Sequence, residues 1–227
     1  MRQLRGQERA ITGNRHTSLA FAEAYGAGSV DDAGAAALRW SRECAQETGI
    51  GAVSGGTGAT LRLLAAAVDA KAIAEIGTGT GVSGLYLLHG MRPDGVLTTV
   101  DLDPERQQFA RQAFRAAGFA GNRARFIPGP ALEVLPRLAD GGYDLVFCDG
   151  DPSESLEYLA ESLRLLRPGG LVCFEGVFAE GRTVDSTAPA ADVRHLRDLL
   201  RTIRESTTLV PSLLPVGDGL LCAVKRG

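Results

Sequence analysis

The sequence has no apolar run long enough to span a bilayer, which argues against a helical membrane protein. Arginines near the N-terminus are not followed by the apolar segment of a secretory signal. Lysine is scarce, with only Lys71 and Lys225, and aromatic residues make up 6% of the chain. We therefore expect a cytoplasmic protein with no membrane partner.

Cysteine is also scarce. The four cysteines, Cys44, Cys148, Cys173 and Cys222, show no spacing typical of a metal site. Three of them lie in apolar, strand-like runs, so we expect buried and reduced thiols. The net charge of −3 shows no basic excess, and the sequence therefore gives no indication of a nucleic-acid partner.

The most informative stretch is 72–81, where a short apolar run ends in alternating glycines. A periodic apolar segment, 82–91, follows at once, so the pattern predicts a strand, a tight turn and a helix. Glycine has no Cβ atom, so the backbone can turn sharply and approach a ligand closely. The free N–H groups and the positive dipole end of the helix face such a turn, which is typical of a nucleotide-binding site.

Two ligand classes compete for this turn. The spacing Gly79-x-Gly81-x-x-Gly84 matches the dinucleotide fingerprint, and Asp101 follows about 20 positions later, where a ribose-binding acid is expected. In contrast, an acid inside the strand, Glu75, resembles the first motif of class I methyltransferases, which bind S-adenosylmethionine (SAM). The chain also has no room for the separate substrate domain of nicotinamide enzymes. We expect SAM, with an NAD-binding oxidoreductase as the alternative.

The chain before this stretch predicts an arm and a flap. Residues 1–16 are polar and arginine-bearing and predict a mobile arm or lid. The loop 49–58 is rich in glycine and serine, has Val53 at its apolar centre, and predicts a flap over the ligand. The predicted helices of this region are 17–25, 32–48 and 59–69.

The chain after residue 72 alternates strands and helices, which predicts a parallel sheet covered on both faces. Two final strands flank a Gly-Asp-Gly turn and predict a hairpin. We divide the chain into a helical arm and flap at 1–58 and a ligand-binding domain at 59–227, within one globular unit. The later predicted strands are 96–100, 125–127, 143–148, 171–174, 208–214 and 220–225, and two of the predicted helices are 132–138 and 156–166.

Five stretches carry a family resemblance: EIGTGTGVS at 75–83, TVDLDPE at 99–105, ALEVLP at 131–136, YDLVFCDGD at 143–151 and LLRPGG at 165–170. Together they resemble the bacterial small-molecule O-methyltransferases related to catechol and caffeoyl-CoA O-methyltransferases. The resemblance covers about residues 40 to 225. It implies an α/β, Rossmann-like class I methyltransferase fold, with a seven-stranded, mostly parallel sheet of order 3-2-1-4-5-7-6 and helices on both faces. It also implies a homodimer.

The resemblance assigns the amino-acid end of SAM to the turn and the flap. Glu75 would lie near the methionine ammonium group, or serve the turn structurally. Ser83 would bind the amino-acid portion, unless it is only a helix-start hydroxyl, and Val53 would close the site, unless it is simply core. The backbone would approach the donor at Gly77, Thr78 and Gly79.

The resemblance assigns the nucleoside end to three further positions. Asp101 would accept hydrogen bonds from both ribose hydroxyls, unless it only caps the next helix. Leu102 would pack on the adenine face, unless it is core, and Ala131 would offer a backbone N–H to adenine. Asp149 would contact the donor or the acceptor, and Asp151 the acceptor.

The sequence departs from the family at its metal site. The family usually has Asp-Ala-Asp-Lys after strand four and Asp-Asn at the end of strand five, where two acids and the Asn hold a divalent cation and the Lys assists as base. Here DGDP stands at 149–152 and EG at 175–176. Asp149 and Glu175 are weak Mg²⁺ candidates because one oxygen ligand and the lysine are missing. We expect no metal requirement.

No residue plainly replaces the missing lysine as a base. His16 and His195 qualify by residue type only, and an exposed position is the simpler interpretation of each. His89 follows the glycine turn and is expected to be structural.

These observations predict a SAM-dependent enzyme that methylates an oxygen of a small molecule by in-line displacement, with catalysis mostly by positioning. A nucleic-acid or protein methyltransferase is disfavoured, because the Asp/Asn-Pro-Pro-Tyr motif of base N-methylation is absent after strand four. A non-catalytic SAM-binding protein remains an alternative because the metal site is eroded.

Overall fold

The computed structural model describes residues 17–25 and 31–227. The predicted arm at 1–16, with His16, lies outside them. Residues 17–25 are helical (α1), as predicted. The helix α2, Asp32–Thr48, also matches its prediction: the Asp31 carboxylate accepts a hydrogen bond from Gly34 N, and Gly49 ends the helix with a φ of +68°.

The helix α3, Gly55–Ala67, begins four residues before the predicted start at residue 59. The Ser54 hydroxyl accepts a hydrogen bond from Thr57 N at 3.0 Å, and this cap offsets the low helix propensity of the glycines that follow. A Cβ atom at Gly58 would collide with the Tyr86 ring, so the glycine allows α3 to pack closely on the next helix. The flap is therefore shorter than the sequence predicted.

The remaining elements alternate as predicted and form one sheet of order β3-β2-β1-β4-β5-β7-β6. Strand β7 pairs antiparallel with both β5 and β6, and the other pairs are parallel, so the predicted topology is confirmed. The strands are β1 Ala72–Ile76, β2 Val96–Asp101, β3 Ala124–Pro128, β4 Tyr143–Cys148, β5 Leu166–Phe174, β6 Leu209–Leu214 and β7 Leu220–Lys225. The helices are α4 Val82–Gly90, α5 Pro104–Ala116, α6 Ala131–Val134, α7 Ser155–Leu165 and α8 Ala190–Glu205.

Two apolar cores lie on opposite faces of the sheet. On β4, Leu145 and Phe147 join the core under α2 to α5, whereas Val146 and Cys148 join the core under α7 and α8. This alternation follows from the two-residue period of a strand and shows that both faces are covered. All four cysteines are buried and free, as predicted.

Besides the start of α3, two element boundaries differ from their predictions by more than two residues. The helix predicted at 132–138 ends at Val134 and continues as a 3₁₀ turn, Leu135–Arg137, because Pro136 has no N–H to continue an α-helix. Strand β5 begins at Leu166 rather than 171, since Leu166 pairs with Tyr143 before a register shift across the intervening Pro-Gly-Gly segment.

Four parallel strands end at the same edge of the sheet, where β1, β2, β4 and β5 lead into Gly77, Leu102, Asp149 and Glu175. In the described parts of the chain, no helix is both long and apolar enough to cross a bilayer.

Candidate active site

The glycine turn after β1 forms the floor of a cleft at this edge. Gly77 has a φ of +91°, and a Cβ atom there would collide with the carbonyl oxygen of Asp149. At Gly79, with a φ of +49°, an added Cβ atom would face the flap instead, and the atom nearest to it would be Ile50 Cγ2 at 3.7 Å. Gly77 is therefore needed for close packing of two strand ends, and Gly79 keeps the cleft open.

Two adjoining cavities make up the cleft. The first, of about 300 Å³, contains the flap residue Val53 and the side chains of Ser83, Asp149 and Glu175. The second, of about 410 Å³, contains the nucleoside-side candidates Leu102 and Ala131 together with Asp151. The residues common to both cavities are Gly77, Asp101, Arg106 and Asp149. The structure thus separates the predicted amino-acid end from the predicted nucleoside end around Asp101.

Asp101 ends β2 and is 6% exposed. Its Oδ2 accepts a hydrogen bond from Gly79 N and its Oδ1 one from Asp103 N, both at 2.9 Å. The cap of α5 is Asp103, which accepts from Glu105 N at 2.8 Å. The alternative role of Asp101 as a helix cap is therefore wrong, and each of its oxygens keeps a lone pair for a ligand.

A buried polar network lies beneath the glycine turn. Glu75 is fully buried, and its two oxygens accept hydrogen bonds from Ser83 Oγ at 2.7 Å and Thr99 Oγ1 at 2.6 Å. Thr99 also hydrogen-bonds Thr78 at 2.7 Å, and Gln107 donates to Thr78 at 3.3 Å. Glu75 and Ser83 therefore hold the turn from below, as the structural alternative for Glu75 anticipated.

Burial raises the pKa of Glu75 to about 7, and the nearby Asp149 and Asp101 carboxylates act in the same direction. The hydrogen bonds from Thr99 and Ser83 oppose this rise. The raised pKa means that the protonated carboxyl is favoured relative to an exposed glutamate, and a cationic ligand above the turn would favour the carboxylate.

Two acids lie at the wall of the first cavity. Burial raises the pKa of Asp149 to about 6, with a further contribution from Asp101. Burial and then the charge of Asp149 raise the pKa of Glu175 to about 8. Glu175 Oε1 accepts a hydrogen bond from Thr57 Oγ1 at 3.2 Å, and its Oε2 is buried without a hydrogen bond to any described residue. Such a concentration of carboxyl groups favours a positively charged ligand.

Asp149 and Glu175 do not fit the three-ligand metal site of the catechol and caffeoyl-CoA O-methyltransferases. Within 17–25 and 31–227, no three His, Cys, Asp or Glu side chains are grouped so that they could hold a metal ion. Gly176 has no side-chain oxygen, and Glu175 Oε1 is occupied by Thr57. Asp149 and Glu175 share a cavity but supply only two carboxylates.

The structure places Asp151 away from the first cavity. Its Oδ1 accepts hydrogen bonds from Ser153 N and Ser153 Oγ, both at 2.8 Å, and it caps the 3₁₀ turn Pro152–Glu154. These bonds hold the pKa of Asp151 below its ordinary value. His195, on α8, is exposed, whereas His89 is partly buried and meets the Phe119 ring edge-on at 4.9 Å.

Sequence reasoning missed several residues of the cleft. Arg106 lines both cavities from the first turn of α5, and its Nε lies 3.6 Å from Asp103 Oδ2. The signal was its position one helical turn after the Asp-Pro that begins α5. Arg42 donates to the carbonyl oxygen of Val53 at 2.7 Å and so fixes the flap, but no local pattern marks it.

Comparisons with known proteins agree with this geometry. A family model described as O-methyltransferase matches residues 37–226. A relative from Mycobacterium sp. strain JLS, named as an O-methyltransferase, is 51% identical over 185 residues, which is 82% of this chain and 84% of the relative.

Two solved structures resemble the whole fold. A Corynebacterium glutamicum protein superposes with a TM-score of 0.80 at 32% identity, covering 88% of this chain and 92% of its own. The O-methyltransferase of tomaymycin synthesis from Streptomyces achromogenes, solved with SAM, has a TM-score of 0.76 at 28% identity, with the same two coverages. The sequence and structural matches cover the cleft and all seven strands, and the chain belongs to the O-methyltransferase family.

Proposed function

We propose that the chain transfers the methyl group of SAM to an oxygen atom of a small-molecule acceptor. The observation that carries this proposal is the position of Asp101, which lies in the cleft, caps no helix and lines both cavities, with Glu175 in the first and the exposed Leu102 in the second. The parts of SAM follow the same order: a cationic amino-acid end for the first cavity, a ribose for Asp101 and an adenine for the second cavity.

The donor would lie with its ribose on Asp101. Each carboxylate oxygen accepts one backbone hydrogen bond, from Gly79 N or from Asp103 N, and keeps a second lone pair free. The two oxygens would use these lone pairs to accept hydrogen bonds from both ribose hydroxyls. Leu102, which is 73% exposed, would cover one adenine face, and Ala131 begins α6 beside it. Together they supply an apolar surface and a backbone N–H for the base.

The amino-acid end would lie in the first cavity. Asp149 would attract the ammonium group, and Val53 would cover it from the flap. Gly77, Thr78 and Gly79 would let the donor approach the backbone. We assign Ser83 and Glu75 to support of this floor, because they hydrogen-bond each other at 2.7 Å.

In the reaction, a lone pair of the acceptor oxygen attacks the methyl carbon while the carbon–sulfur bond breaks. The sulfonium becomes the thioether of S-adenosylhomocysteine, and the proton of the acceptor hydroxyl passes to solvent water. Alignment of oxygen, carbon and sulfur supplies most of the rate enhancement. Besides Asp101, which we assign to the ribose, Asp149 and Glu175 are the acidic residues that line this cavity, so they are the groups we propose to orient the acceptor, ahead of Asp151.

The test is a transfer assay with methyl-labelled SAM and a panel of phenols, catechols and hydroxy acids, with products identified by mass spectrometry. We expect labelled product, unchanged in yield when EDTA is added, because two carboxylates lacking a third ligand hold Mg²⁺ poorly. Activity that stops with EDTA and returns with Mg²⁺ would contradict the metal-free proposal. SAM binding with no turnover on any acceptor would favour the non-catalytic alternative, and tighter binding of NAD than of SAM would favour an oxidoreductase.

We also propose a cytoplasmic homodimer, with 1–58 acting as arm and flap of the domain at 59–227, although α3 spans that boundary. Exposed apolar side chains on α1 and α3 support dimer formation: Phe21, Tyr25 and Leu63. Sedimentation velocity should show a dimer that Leu63→Arg dissociates, whereas Leu156→Arg, at an exposed leucine on α7, should leave it intact. A monomeric parent protein would contradict the proposal.

A further inference from the structure

A third cavity, of about 380 Å³, lies between α8 and β6, on the sheet face opposite the flap. Its apolar wall includes Val184, Leu200 and Leu213, of which Val184 is 72% exposed. Three arginines, Arg197, Arg201 and Arg204, line the same cavity, and none of its lining residues is acidic. The volume is that of a small-ligand site.

Arg197 is the fixed element of this cavity. Its Nε donates to Thr183 O at 3.0 Å, and its Nη2 donates to Arg182 O at 3.2 Å and to Asp185 O at 2.7 Å. The guanidinium is partly buried, yet it forms no ion pair with any described side chain. The hydrogen bonds from Thr187, and then the charge of Arg197, hold the pKa of Asp185 below its ordinary value. Carbonyl oxygens hold the Arg197 guanidinium in place, and its positive charge, together with those of Arg201 and Arg204, favours an anion in this cavity.

The other two arginines add mobile positive charge at the rim. Arg201 shares Asp198 with Arg194, and its side chain is 59% exposed. Arg204 is 78% exposed, with only a long contact of 3.9 Å to Glu205. Pairs of this exposure bind weakly, so both guanidinium groups can turn toward a ligand at little cost.

We propose that this cavity binds an amphipathic anion, a small molecule with an apolar body and one carboxylate or phosphate group. The apolar body would cover Val184, Leu200 and Leu213. The anionic group would bind Arg197 and draw in Arg201 and Arg204. Neither the donor nor the acceptor of the methyl transfer is needed for this binding.

The test is isothermal titration with decanoate and with decyl phosphate, in the presence of saturating S-adenosylhomocysteine so that the donor cleft is filled. The neutral probe is 1-decanol. We expect one decanoate or decyl phosphate per chain, weaker binding at high salt, and no binding of 1-decanol. Comparison of the two anions identifies the preferred acidic group.

The matched variants lie on one helix. Arg201→Ala combined with Arg204→Ala should weaken anion binding about tenfold, whereas Arg194→Ala, which removes an arginine outside the cavity and a partner of the same Asp198, should leave it unchanged. Leu213→Asp tests the apolar wall at a 43% exposed position and should abolish binding without unfolding the chain.

Three results would overturn the proposal: no anion binding by the parent protein, equal loss in Arg194→Ala and the double variant, or unchanged binding in Leu213→Asp. A decanoate site in the other apolar cavity, beside α1 and α3, would also overturn it. Leu63→Asp reports on that cavity and should leave decanoate binding unchanged, although it would also disturb the proposed dimer contact.

Discussion

The proposed donor side of the cleft consists of the glycine turn and Asp101, and the proposed acceptor side consists of Glu175, the start of α3 and the terminal hairpin. The two sides are built from contacts of very different range along the chain. On the donor side, Glu75, Thr99 and Asp101 bond to partners between 8 and 24 positions away along the chain. On the acceptor side, Thr57 bonds to Glu175 across 118 positions, and Glu23 bonds to Gly217 across 194. A short motif can specify the first arrangement, whereas the second exists only in the folded chain.

Glu23 shows how the acceptor side is held. Its Oε2 accepts a hydrogen bond from Gly56 N at 2.5 Å, and its Oε1 accepts one from Gly217 N at 3.0 Å. One carboxylate therefore connects α1 to the start of α3 and to the terminal hairpin. Burial opposes its ionisation, but the Gly217 and Gly56 N–H groups outweigh it, and the pKa of Glu23 lies below its ordinary value. A Cβ atom at Gly217 would collide with Thr57, which bonds Glu175.

The largest effect should come from Gly77→Ala on the donor side. The new Cβ would collide with the Asp149 carbonyl at a φ of +91°, so we expect loss of measurable SAM binding and roughly 2–4 kcal/mol lower stability. Titration calorimetry measures the SAM affinity, and denaturant unfolding measures the free energy of unfolding. Gly118→Ala is the control, because its φ is +83° but nothing lies within 4 Å of the added atom. SAM binding by Gly77→Ala at the parent affinity would contradict the assigned turn.

The next largest effect should distinguish the roles of two neighbouring acids, Asp101 and Asp103. Asp101→Ala should weaken SAM binding about 10- to 100-fold, since charge-assisted hydrogen bonds contribute about 1.5–3 kcal/mol each and are not additive. Asp103→Ala should lower the free energy of unfolding by about 1 kcal/mol through loss of the α5 cap and leave SAM affinity unchanged. Equal SAM affinities in the two variants would contradict the assignment of Asp101 to the donor site.

A smaller effect concerns pH. The cationic donor favours the ionised form of Asp149 and Glu175, whose pKa values in the free protein are about 6 and about 8. Binding therefore releases protons, and SAM affinity should rise about tenfold between pH 5 and pH 8 and then level off. Titrations in buffers of different ionisation enthalpy measure the proton release. Asp149→Asn should flatten the lower part of this rise, and proton uptake on binding would refute the assignment.

The smallest expected effect is a change in acceptor binding that leaves donor binding unaltered. Glu23→Ala removes the bond between α1, the flap and the hairpin, so we expect the acceptor KM to rise about threefold while SAM affinity stays unchanged. Glu23→Gln, which keeps one accepting oxygen, should recover part of the loss. Glu43→Ala, at an exposed acid on α2, is the control. An equal change in donor and acceptor binding would show that the two sides are not independent.

The same contrast explains how far the sequence could predict the molecule. The element order, the glycine turn and the sheet topology followed from local patterns and the family resemblance, and the fold confirms them. The start of α3 was wrong because glycines at 55, 56 and 58 mask a helix whose stability depends on the Ser54 cap and on packing against Tyr86. The side-chain roles in the site stay predictions, since only a ligand can test them.

Apart from Arg106, whose position at the start of α5 is a local signal, the residues that sequence reasoning missed share one property. They reach partners that no spacing rule connects to them, and they are Arg42, Glu23 and Thr57. The family resemblance assigned both Asp149 and Asp151 to the site, but Asp151 caps the 3₁₀ turn after β4 and lines only the second cavity, whereas Asp149 lines both. Two acids of one short motif therefore differ in the parts of the cleft that they reach.

The Glu23–Gly217 hydrogen bond also sets an order of events during synthesis. A ribosome adds about 5–20 residues per second, so the partner of Glu23 is made many seconds after Glu23 itself. The glycine turn and Asp101 can assemble while the C-terminal third of the chain is still missing. The donor half of the cleft can therefore take shape before the hairpin of β6 and β7 is made, whereas the acceptor half is closed only when that hairpin joins the sheet.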